Sequence, residues 1–172
     1  MRAQRIFAGF EIDIDLLPRY QGTRNHADIG FNLMATNKRC ANKSMKNESA
    51  LLSAFLNDQI DSRDFRHADH VRVGFELLDR HTFPDALAAY SVALRGIAAR
   101  AGNPGAYHET ITVAFLSLIA EHRLAGHHTE FDDFVRDNPE LMDKSLIGHW
   151  YPPERLMSDI ARRTFVMPEA AQ

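Results

Sequence analysis

One cysteine, Cys40, stands in 172 residues, so no disulfide can form within the chain and a reducing cytoplasm is the expected setting. No apolar run approaches the ~20 residues that a membrane-spanning helix needs. Arg2 and Arg5 are followed by no apolar core, so a secretion signal is not expected. Basic residues gather in no stripe, and Lys+Arg 20 against Asp+Glu 23 leaves a net charge of -3. A nucleic-acid partner therefore has no electrostatic basis. The chain also lacks internal repeats and low-complexity tracts. What remains is 45% hydrophobic and 25% charged, the balance of one globular domain. A chain of this length buries roughly two-thirds of its unfolded surface and needs no covalent staple.

Residues 1–47 show no sustained period of 3.6 or 2. They mix a short apolar run, Phe7 to Ile14, with a polar stretch from Asn37 to Ser44. Met45-Lys46-Asn47-Glu48-Ser49 reads as a natural start, so residues 1–47 are expected to be a disordered extension or an over-called start. From residue 48 to 168 the pattern is helical. A first helix is expected over 48–60, carried by Leu51, Leu52, Phe55, Leu56 and Ile60. A second, over 65–80, takes Asp64 as its N-cap. Pro84 opens a third over 84–101, at a position where the missing N–H costs nothing. Gly102-Asn103-Pro104-Gly105 marks a turn before a fourth helix over 105–123. Thr129 and Asp132 resemble a capping box for a fifth. A last helix follows Pro152-Pro153 and runs to about Phe165. The expected fold is all-α, a single-domain bundle of five or six helices.

Two histidine clusters open helices in this scheme. His67-Ala68-Asp69-His70 places two imidazoles at i, i+3, on one side of the second helix. Tyr107-His108-Glu109-Thr110 starts the fourth. Short loops make successive helices antiparallel, so the second and fourth helices point the same way and begin at one end of the bundle. His122, His127 and His128 then lie ~20 Å or more away, given a rise of ~1.5 Å per residue. They are expected outside the site, with His127-His128 in a loop. Trp150 and Tyr151 read as packing anchors, and Arg162-Arg163 as a solvated face.

Three imidazoles with a carboxylate suit a divalent transition metal, zinc or iron foremost. His67, His70 and His108 are the expected ligands, and Glu109 a fourth ligand or the general base. Tyr107 is placed to donate a hydrogen bond to a bound oxyanion, with Thr110 and Thr112 as polar partners. An open coordination position would activate water or dioxygen, so hydrolase and oxidoreductase chemistry both fit a small-molecule substrate. The positive ends of two helix dipoles disfavour a cation and favour an anion. A metal-free binding or regulatory module, whose histidines hold an anionic ligand, is therefore the competing expectation. The plainer alternative makes His108 a satisfied core histidine and His67 a cap or the partner of an acid. A plain scaffold that forms a homodimer through an apolar helix face is a third.

Phe65-x-His67-x-x-His70, Tyr107-His108-Glu109-Thr110-Ile111-Thr112, and Tyr151 with Ala161-Arg162 and Phe165-x-x-Pro168 resemble a family of small bacterial all-helical proteins. The resemblance spans roughly residues 50–170 and implies positions to watch rather than a reaction. More loosely, a histidine-bearing bundle is similar to the DinB-like metal-dependent enzymes and to hemerythrin-like proteins. The H-x-x-x-H spacing of the former and the H-x-x-x-E spacing of the latter are not found here.

Overall fold

Apolar residues recurring every three to four positions fold the chain into helices wherever a cap allows one to start. The computed structural model describes residues 48–169, in which seven α-helices and three short 3-10 segments carry the fold with no strand. The expectations placed on residues 1–47 lie outside the described residues. Helix α1 is Ala50–Leu56, and its first turn is held by the Ser49 hydroxyl, which accepts from Leu52 N–H at 3.0 Å. It ends four residues earlier than the periodicity suggests. Asp58 adopts a left-handed backbone (φ 59°), which an α-helix does not tolerate.

Helix α2 is His67–Arg80 and α3 is Phe83–Arg100. The expected Asp64 cap of α2 is corrected to Arg66, because the Asp69 carboxylate reaches back to the Arg66 N–H at 2.8 Å. Gly102, at φ +70°, turns the chain out of α3. Pro104–Ala106 forms a 3-10 turn, so α4 starts at Glu109 rather than at 105 and runs to Ala125. Helix α5 is Phe131–Asp137, one residue after its Glu130 N-cap. Two more 3-10 segments follow, Pro139–Met142 and Leu146–His149. The single last helix of the sequence scheme is two, α6 (Pro153–Leu156) and α7 (Asp159–Arg163). Ser158 separates them, because its hydroxyl accepts from Ala161 N–H and caps a new helix.

Helix α2 is central, packing on α1, α3 and α4. On one side Val73 and Leu77 join Leu52, Phe55, Tyr90 and Leu116. On another, Val71 and Phe75 meet Ile119, Phe134 and Leu141. Each such side chain contributes roughly 1.5–3 kcal/mol by leaving water. A third cluster, Phe115 with Ile147, Tyr151 and Leu156, seats the C-terminal segments on α4. Among the described residues, no helix is long and apolar enough to cross a membrane.

Candidate ligand cavity

Between α2, α3 and α4 lies a cavity of about 620 Å³. Both histidine clusters reach it: His67 and His70 from the start of α2, Tyr107 and His108 from the residues before α4. Helix α3 supplies Tyr90, Leu94 and Ala98, while Ile111, Thr112 and Phe115 come from α4. The wall is therefore aliphatic and aromatic with a few polar atoms, the composition of a small-molecule site.

The three imidazoles do different things. His108 is the N-cap of α4: its Nδ1 accepts from Ile111 N–H at 3.3 Å, and its Nε2–H donates to the Leu156 carbonyl at 2.8 Å. Both nitrogens are occupied by backbone groups, and the residue is buried. It is a satisfied core histidine, and a metal ion would have to break one of those bonds to reach it. His67 donates its Nε2–H to the Leu141 carbonyl at 2.9 Å, which leaves Nδ1 as its other polar atom. Its ring stands edge-on to Phe115, with centroids 5.2 Å apart. His70 lies against the Phe65 ring at 4.3 Å. The Tyr90 hydroxyl donates to the His70 carbonyl at 3.1 Å and sits 3.5 Å from His70 Nδ1. Burial pushes the His70 imidazole down to about 4, with His67 adding to the shift and Asp69 opposing it. His70 is thus neutral at pH 7. Among the described residues, no three His, Cys, Asp or Glu side chains converge as a metal-ligand set.

Glu109 and Tyr107 do not take the positions expected of a base and an oxyanion donor. Arg95 Nη2 donates to Glu109 Oε2 at 2.6 Å, and the Tyr107 hydroxyl donates to the same oxygen at 3.0 Å. The Arg95 guanidinium also lies 4.5 Å over the Tyr107 ring. Glu109 is outside the cavity wall, neutralised by an arginine; Tyr107 lines the wall with its hydroxyl committed to Glu109. Burial, with the Glu109 contact, raises the Tyr107 phenol above its usual range. The physical reason is α3: a scheme built on α2 and α4 did not foresee Arg95 arriving between the clusters.

Other polar groups were undervalued. Thr112 is 7% exposed and lines the cavity. Lys144 also reaches the wall and stands in no ion pair among the described residues. By its spacing Tyr90 belongs to the apolar stripe of α3, yet a buried phenol needs a partner, and that requirement is a usable signal. Nothing in the local sequence marks Lys144.

The remaining expectations sort cleanly. His122 and His128 do lie elsewhere, bridged by the buried Asn138 amide: His122 Nδ1 is 2.6 Å from Asn138 Oδ1, and Asn138 Nδ2 is 3.4 Å from His128 Nε2. Tyr151 is a packing anchor, its hydroxyl donating to the Val166 carbonyl at 2.9 Å, whereas Trp150 is 43% exposed and does not anchor the core. Arg162 is not merely solvated, since it donates to the Gly105 carbonyl at 2.7 Å and braces the turn before α4.

The chain matches no family model, no curated protein and no solved structure.

Proposed function

We propose that the protein is a binding or regulatory module that encloses a small, mostly apolar molecule in the α2–α3–α4 cavity, without a metal ion. The observation that carries this is the double engagement of His108 by Ile111 N–H and the Leu156 carbonyl, within a cavity lined mostly by hydrocarbon, with Lys144 its one lysine or arginine. A volume of about 620 Å³ falls in the range that holds cofactor- and drug-sized molecules. The His67 and His70 rings and the Thr112 hydroxyl are there to orient the ligand. The lone Cys40 supports a cytoplasmic setting, and the motif resemblance supports a bacterial one.

The test is a fluorescence titration of the full chain with N-phenyl-1-naphthylamine, a neutral aromatic probe. One saturable site is expected in the parent, and its loss in Ala98→Phe, which fills the wall from α3 while circular dichroism stays helical. Leu94→Phe serves as the second filled variant should Ala98→Phe not fold. No saturable binding, or equal binding in a folded filled variant, overturns the reading. Near-stoichiometric zinc or iron in purified parent protein, lost in His108→Ala, would favour the metal-dependent enzyme instead.

A further inference from the structure

We infer that the ligand is an amphipathic organic anion, with an apolar body against the aromatic wall and one carboxylate-like group at Lys144. This rests on the proposed binding role of the cavity and specifies its ligand class. Among the described residues, the cavity wall contains no aspartate and no glutamate, and Lys144 is its one full positive charge. His70 is neutral. Five acidic residues adjoin lining groups in sequence, Asp61, Asp64, Asp69, Glu109 and Asp143, and none of them lines the wall. Glu109 is held by Arg95 and Tyr107. Asp143, beside Lys144, accepts from Ser145 N–H at 2.8 Å and from its hydroxyl at 2.7 Å. Lys144 stands in no ion pair among the described residues, and a cationic ligand would find no carboxylate in the wall.

The rest of the wall sets the rest of the molecule. Phe65, Phe115 and the rings of Tyr90 and Tyr107 present apolar surface for a flat or branched hydrocarbon body. Thr112, on α4, offers one neutral hydrogen-bonding group to that body. A net charge of -3 for the chain means that the overall field repels anions. Any preference for an anion must then come from a local charge.

Two probes with one aromatic skeleton separate the terms: neutral N-phenyl-1-naphthylamine and its sulfonated relative 1-anilinonaphthalene-8-sulfonate. Both are titrated into the full chain, the Lys144→Gln and Lys144→Glu variants, and folded Ala98→Phe. The quantity read is the ratio of sulfonate affinity to neutral affinity. That ratio is expected to fall about threefold in Lys144→Gln, the size of an exposed ion pair, and further in Lys144→Glu. Raising salt to 0.5 M should shrink the difference between parent and Lys144→Gln. A ratio unchanged by both substitutions, with both probes still excluded by Ala98→Phe, overturns the anionic ligand and leaves the binding role standing. Failure of both probes to bind the parent overturns the binding role and this inference together.

Discussion

His108 shows how much a single imidazole nitrogen decides. Spacing placed it correctly: it opens α4 and reaches the same cavity as His67 and His70. Its chemistry was not legible, because a free nitrogen depends on which carbonyl arrives, and the Leu156 carbonyl comes from 48 residues away. The same holds for His67 and Leu141. His108→Ala removes a helix cap and strands a buried carbonyl. Urea unfolding should show a loss of about 2–4 kcal/mol. His70 makes a second prediction at this scale. Its folded value is pushed down to about 4, below the unfolded value near 6.5. Between those values the unfolded chain holds the proton and the folded chain does not, so stability rises with pH there. The contribution is complete above pH 6.5 and is lost as pH falls toward 4, by up to about 3 kcal/mol. Unfolding measured across pH 4–7 should fall more steeply for the parent than for His70→Gln. Parallel curves would contradict the assignment.

At the scale of elements, apolar periodicity located α1 to α5, and the turn residues Pro84 and Gly102 marked the ends of α3. Boundaries slipped where a side chain far from the periodic stripe took over the capping. Asp69 moved the start of α2, the 104–106 turn moved that of α4, and Ser158 divided the last helix. Helix α7 is too short to persist alone and is held by Thr110 of α4. That buried hydroxyl contacts the Ala161 and Thr164 carbonyls at 2.7 and 2.9 Å and accepts from Val166 N–H at 3.1 Å. Thr110→Val keeps the shape and deletes these bonds. Hydrogen exchange over residues 158–168 should accelerate markedly, with global stability lower by about 1–3 kcal/mol. The turn after α4 offers a further check. A Cβ on Gly126 would fall on the His128 ring, which Asn138 also touches. Gly126→Ala should therefore lower the melting temperature, where an ordinary helix end would tolerate alanine.

For the whole molecule, the direction of α2 and α4 was the correct inference, and α3 was the missing part. Its Arg95 neutralises Glu109, and its Leu94 and Ala98 turn a cluster of polar side chains into one wall of an apolar cavity. No local pattern announces a cavity, because it is the space that three helices leave between them. The claim on which this rests is that His108 belongs to the frame while His67 and His70 line the ligand space. Nitrogen-15 spectra of the histidine rings at pH 7, recorded before and after one equivalent of zinc, address it directly. His108 should show an Nε2–H tautomer with its Nδ1 lone pair engaged, unmoved by zinc. Joint displacement of His67, His70 and His108 would contradict it and return the three imidazoles to a metal ion.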